Sequence, residues 1–232
     1  MENLEQKNTS AIPAPDIGDA FGHGWEILKK YFVELLLVSI ISVIIMTPLW
    51  VVNARSGYHF SAAMVLLIIF GIGYTIFLRM PVEYGIKWVY LRAVRHERVE
   101  IKDMFKGFDY FLNVVAANIL VAFVVGIGIV FLIIPGIIFA CKLAFVPYLV
   151  MDKKLDPIAA FKISWHMTRG HALTIFLMGV ISFFLVILGF LLLIVGIIPA
   201  AIWIESAFAS LYYAVDERYE IPEHLKPVKT DE

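Results

Sequence analysis

Four ionisable side chains sit where a polypeptide can least support them. Arg79, Glu83, Lys142 and Glu205 fall within, or at the edges of, long apolar runs. A charged residue at mid-bilayer costs ~2.5–3.5 kcal/mol on insertion scales, so four unpaired ones would cost on the order of 10 kcal/mol. Two are acidic and two are basic, which allows them to neutralise one another in a bundle interior. Arg79 and Glu83 stand four residues apart on one helix, within reach of each other. The chemistry open to such a set is binding of an ion, a proton or a lipid headgroup. Plainer roles are a static ion-pair network that fixes helix register, or snorkelling of Arg79 and Glu83 to the interface. Asn113 and Asn118, inside another apolar run, suit interhelical hydrogen bonds.

Signatures of soluble enzymes are missing. The chain has no G-x-x-x-x-G-K-[ST], H-E-x-x-H, C-x-x-C or G-x-S-x-G. Its histidines, His23, His59, His96, His166, His171 and His224, lack the spacing of metal ligands on one helix face. Cys141 is the single cysteine, so no internal disulfide or cysteine cluster forms. No catalytic residue, metal site or cofactor is expected.

The elements that hold these residues are apolar. Hydrophobic residues make up 61% of the chain and charged residues 17%, against about 45–50% and about 25% in soluble domains. Several runs reach the ~20 residues that cross a bilayer. The expected fold is an all-α membrane protein of six transmembrane helices. They form three hairpin repeats, at about 16–95, 96–153 and 154–217, each preceded by an amphipathic interfacial helix. A flexible tail covers residues 1–15 and a polar one 218–232; the first span, Tyr31–Val52, serves as an uncleaved anchor. The second apolar stretch, Phe60–Leu91, is too long for one straight crossing and is expected to kink at Gly71, Gly73, Pro81 or Gly85. The remaining spans are Phe111–Leu132, Ile133–Met151, Ala172–Val195 and one ending at Val215. Asp156-Pro157 reads as a helix start.

Two stretches echo each other and support the repeat. Ile133–Asp152 and Ile197–Asp216 share an Ile-Ile-Pro start, Ile138 with Ile202, Tyr148 with Tyr212, and a closing Asp. Placing Tyr90 on Tyr212 puts Glu83 on Glu205, with Lys142 one residue from the same position. Basic residues collect around the amphipathic segments and after the last span, while the opposite turns offer only Arg55. The positive-inside rule therefore puts both termini and all three elbows in the cytoplasm. In the elbows, Trp25, Lys29, Lys102, Phe105, Lys106, Lys162, Trp165 and Arg169 suit anionic headgroups, with simple anchoring as the plainer role. The positive-inside rule already accounts for these basic residues, so no nucleic-acid partner is expected.

The order of P-V-E-Y-G from Pro81, M-F-K-G-F from Met104, I-I-P-G-I, Y-L-V-M-D, A-x-x-x-S-W from Ala160 and T-R-G from Thr168 resembles a known set of families. These are uncharacterised bacterial six-span inner-membrane proteins, related to the membrane domain of some glycerophosphoryl diester phosphodiesterases. The resemblance covers most of residues 16–217. It implies the fold and the bacterial cytoplasmic membrane. The phosphodiesterase barrel is a separate soluble domain for which this chain has no room, so that activity is not implied. The expected function is a non-enzymatic accessory or scaffold protein that binds lipid or assists a transport or envelope complex. Its partners would be membrane lipids, and a partner membrane protein or a second copy of the chain. The alternatives are a transporter of a small solute or lipid through the charged site, and a lipid-acting membrane enzyme. A transporter predicts a hydrated cavity at the charges; a scaffold predicts a dry, fully paired core.

Overall fold

The computed structural model describes residues 12–46, 62–191 and 196–221. Every regular element among them is helical. The first elbow is α1 (Ile17–Lys30), followed by α2 (Phe32–Met46). Then comes one long rod: α3 (Ala62–Tyr74), a π-helical segment (Thr75–Arg79) and α4 (Met80–Val94). The second elbow is a 3₁₀ helix (Ile101–Phe108), leading to α5 (Phe111–Phe131), α6 (Ile133–Lys142) and α7 (Val146–Asp152). The third elbow, α8 (Pro157–Met167), leads to α9 (Ala172–Leu191) and α10 (Ile197–Asp216).

Among the described residues, four stretches are long and apolar enough to cross a membrane: α5, α6 with α7, α9 and α10. α2 is as apolar but shorter. The expected end of the first span at Val52, the turn at 53–59 and the tail segments 1–11 and 222–232 lie outside the described residues. The start of the C-terminal tail, 218–221, is described, and so is 12–15 of the N-terminal one. The Pro13 carbonyl accepts from Arg218 at 2.9 Å and the Ala14 amide donates to Asp19 at 3.0 Å.

Proline decides where the long rods break. From Ala62 to Val94 the rod would measure about 50 Å as a straight α-helix. Pro81 has no N–H to give, and its ring displaces the carbonyl four residues back. The chain answers with the π turn, where the Met80 amide reaches back to the Thr75 carbonyl. The Thr75 hydroxyl donates to the Gly71 carbonyl at 2.9 Å. A second break was not expected from the sequence. The fourth span splits between Lys142 and Val146, just before Pro147. The Lys142 carbonyl accepts from the Ser164 hydroxyl at 2.8 Å and from Thr168 at 3.2 Å, both on or next to α8. Broken helices at membrane depth persist only where side chains take up the freed groups in this way.

The elbows are docked on the bundle. Asp16 caps α1 and Asp156 caps α8, accepting from the amides three residues on at 2.9 and 2.7 Å. The second elbow is 3₁₀ rather than α-helical. With three residues per turn, Met104 and Gly107 eclipse and present one ridge to α4. Backbone meets backbone there: a Cβ on Gly85 would lie 1.9 Å from the Met104 carbonyl oxygen, and one on Gly107 would lie 1.9 Å from that of Pro81. Only glycine fits at either place. α1 packs along α10, with Gly24 against Ala207 and the Trp203 indole donating to the Phe21 carbonyl at 2.8 Å.

The core lies at the elbow end. α4, α7 and the last turns of α10 bury Leu91, Phe145, Leu149 and Tyr212. α5 and α9 bury few residues, and the far end of α5 is bare, with Val130 85% exposed. In water such a surface would associate; against lipid tails it is ordinary solvent contact.

Candidate functional site

α2, α4 and α10 enclose a cavity of about 260 Å³. Arg79, Glu83 and Lys87 come to it from the rod, Glu205 from α10, and Ser39 and Ser42 from α2. The cavity runs along α10 from Ile197 and Ile198 in its first turn to Glu205, about 12 Å further on and roughly half-way down the span. Lys87 donates to Glu205 at 2.6 Å. Arg79 and Glu83 form no ion pair or hydrogen bond among the described residues, although they are four apart. Arg preceding Glu is the weaker order of charges for such a pair on a helix. Ser39 and Tyr90 share a hydrogen bond of 3.1 Å at one wall, and Ser42 donates to the Ser39 carbonyl at 2.7 Å. Below the ion pair, the Lys87 ammonium lies 5.9 Å from the centre of the Tyr148 ring, whose buried hydroxyl has no hydrogen-bond partner among the described residues.

Of the four charges singled out in the sequence, three therefore line one cavity. Lys142 is elsewhere, its ammonium 4.8 Å from the centre of the Trp165 ring. The residue missed by sequence reasoning is Lys87, which stands close enough to the basic residues of the second elbow to pass for one of them. Its signal was present: it follows Glu83 by four positions and precedes Tyr90 by three, inside the apolar stretch.

A second polar cluster joins the helix ends. Arg95, just after α4, binds Asp152 at 2.8 Å and Asp216 at 3.5 Å. Lys153 binds Asp216 at 2.9 Å, and the Tyr212 hydroxyl donates to Asp152 at 3.0 Å. The two aspartates that close the echoing stretches thus converge on one guanidinium. Tyr148 and Tyr212, also equivalent in the echo, stack with ring centres 4.8 Å apart. Nearby, Asp103 is buried against Arg92 and Lys106. Burial pushes its carboxyl up, but the Lys106 hydrogen bond and the Arg92 charge outweigh that and hold it below the usual range.

The elbow residues divide. Trp25, Lys29, Lys102, Phe105, Lys162 and Arg169 are exposed. Lys106 is held by Asp103 at 2.9 Å, and Trp165 is half-buried between Phe139 and Phe161. Beside α1 a polar pocket is lined by Asp19, His23, Glu26 and His96. His23 accepts from or donates to Ser210 at 3.0 Å. Burial, and then His96, lower the pKa of the His23 imidazole; burial, and then Lys30, lower that of His96.

No family model, curated protein or solved structure matches the chain. The functional reading therefore rests on the geometry.

Proposed function

We propose that the protein is a non-enzymatic, multi-pass protein of the bacterial inner membrane that binds a polar ligand in the cavity between α2, α4 and α10. It does so in the service of moving that solute or lipid, either as the carrier itself or as the binding subunit of a transport or envelope complex. One observation carries the reading: two opposite charges, Arg79 and Glu83, line an open space within the apolar layer without a partner among the described residues. A purely structural scaffold has no use for them, because each unpaired charge at that depth is a standing cost. The Lys87–Glu205 pair fixes α4 to α10 and holds the walls of the site.

The proposed architecture is six crossings in three elbow-and-hairpin units, with the termini and elbows in the cytoplasm. The elbow contacts support it. The 3₁₀ elbow packs on α4, α8 packs on α6 and α7, and α1 packs on α10. Each elbow lies on the second arm of the unit before it, and the first elbow takes the last arm. The touching points are Gly85, Lys142 and Ala207. With Tyr90, Tyr148 and Tyr212 superimposed, these positions agree to within one residue. The basic residues around the elbows support the cytoplasmic assignment.

The test is access. In a Cys141→Ser background, Ser42→Cys should react with a small charged thiol reagent added to the protein in lipid vesicles. A Ser42→Cys protein that stays unreacted under conditions that label an exposed elbow cysteine would mean a dry site, and would return the protein to the scaffold reading.

A further inference from the structure

We propose that the ligand of this cavity is a zwitterion whose anionic group sits on Arg79 and whose ammonium sits on Glu83. The inference deepens the binding reading above and rests on it. Arg79, Glu83, Lys87 and Glu205 sum to no net formal charge, and Lys87 takes Glu205 at 2.6 Å while feeling Glu83 only through space. Among the described residues this leaves one positive and one negative group without a contact partner, separated by one helical turn, or about 6 Å along the axis.

Charge decides between ligand classes. A simple anion would gain Arg79 but meet Glu83 and Glu205. A simple cation would gain Glu83 but meet Arg79 and Lys87. Either would also leave net charge in a medium that supports it poorly. A neutral polar molecule would leave both charges uncompensated. A zwitterion with its charges about one helical turn apart neutralises both and adds none. The space suits such a group, since about 260 Å³ is the volume of roughly nine waters at ~30 Å³ each. Hydroxyls of Ser39, Ser42 and Tyr90 on the walls offer further hydrogen bonds, while Met46 and Ile198 keep the remainder apolar.

Two sources carry this chemistry: a lipid headgroup of the phosphoethanolamine kind, and a free zwitterion of similar size. The full-length protein in nanodiscs of mixed phosphatidylethanolamine and phosphatidylglycerol is released into native mass spectrometry. In parallel, its melting temperature is followed against added glycerophosphoethanolamine, a diester with no net charge. A lipid source predicts retention of phosphatidylethanolamine over phosphatidylglycerol. A soluble source predicts a rise in melting temperature with glycerophosphoethanolamine and no lipid selectivity. In either case Glu83→Gln should lower the preference for the zwitterion about tenfold and turn the site towards phosphatidylglycerol or inorganic phosphate. The charge-swapped Arg79→Glu/Glu83→Arg protein should bind the zwitterion again, and it serves as the test if Glu83→Gln folds poorly. Equal retention of both lipids with no glycerophosphoethanolamine shift would overturn the proposal, as would a preference unmoved by Glu83→Gln and Arg79→Gln. If Ser42→Cys is labelled while these fail, the ligand class alone is wrong. If Ser42→Cys is not labelled, the binding site itself is wrong.

Discussion

Two charged regions of this molecule use the same residue types to different ends. At the helix ends, Arg95, Asp152, Asp216, Lys153 and Tyr212 saturate one another. In the span, Lys87 and Glu205 are paired, but Arg79 and Glu83 face a cavity with no ion pair among the described residues. A closed network leaves nothing for a ligand and serves to fix three helix ends. An incomplete one keeps electrostatic energy in reserve for whatever completes it. The contrast, more than the presence of charge, separates a lock from a site.

The comparison can be broken by substitution. The largest effect is expected at Arg95. Arg95→Met leaves Asp152 and Asp216 to share Lys153, at 4.0 and 2.9 Å, and should cost about 3 kcal/mol, towards the lower end for removal of one partner from a buried pair. Unfolding of the purified protein in detergent measures this. A loss below about 1 kcal/mol would mean that the helix ends are held by apolar packing instead.

Next in size is the Lys87–Glu205 pair, whose side chains are partly exposed at the cavity. Glu205→Gln should cost about 2–3 kcal/mol, and the Lys87→Met/Glu205→Met protein should recover most of that, since the orphaned charge is the main penalty. If the double variant is as unstable as the sum of the singles, the geometry of the pair matters rather than its charge.

Arg79 and Glu83 sharpen the contrast from the other side. Because neither has an ion-pair partner among the described residues to lose, and each is a standing cost in the apolar layer, Arg79→Gln and Glu83→Gln should leave stability unchanged or raise it. A loss comparable to that at Arg95 would make them part of a lock.

The smallest effect is in pH. The folded protein holds His23 and His96 below the ordinary imidazole value of 6.5. Folding therefore favours their neutral forms. The stability they contribute is complete above that value and is lost as pH falls from it through the folded-state pKa values. Melting temperature should decline modestly just below pH 6.5, and His23→Gln should flatten part of that decline.

Much of the fold was legible in the sequence. Asp156-Pro157 gave the start of α8, because a cap needs only its own backbone. Pro81 was among the kink candidates, and the change of helix type stands just before it. The break before Pro147 was missed, since hydropathy is blind to a hydrogen bond that Ser164 and Thr168 replace from another element. The 3₁₀ elbow was read as α-helical because Ile101, Met104, Phe105 and Phe108 fit that period too; close contact with Gly85 decided otherwise. At the site, depth in an apolar run flagged Arg79, Glu83 and Glu205 but said nothing of direction. Lys142 met the same criterion and points to Trp165. Lys87 lies in the same stretch as Glu83, was not singled out, and is the partner of Glu205.

By itself, the sequence determined that this chain is helical, and that it carries stretches long and apolar enough to cross a membrane. Those properties follow from transfer free energy and backbone hydrogen bonding, which act residue by residue. The tertiary structure decided which charges meet, that Asp152 and Asp216 share Arg95, and that Arg79 and Glu83 line a cavity with no ion pair among the described residues. Pairing depends on the rotation and crossing of helices far apart in sequence. A few ångströms of displacement turn an ion pair into an empty site, and no local property of the chain records that distance.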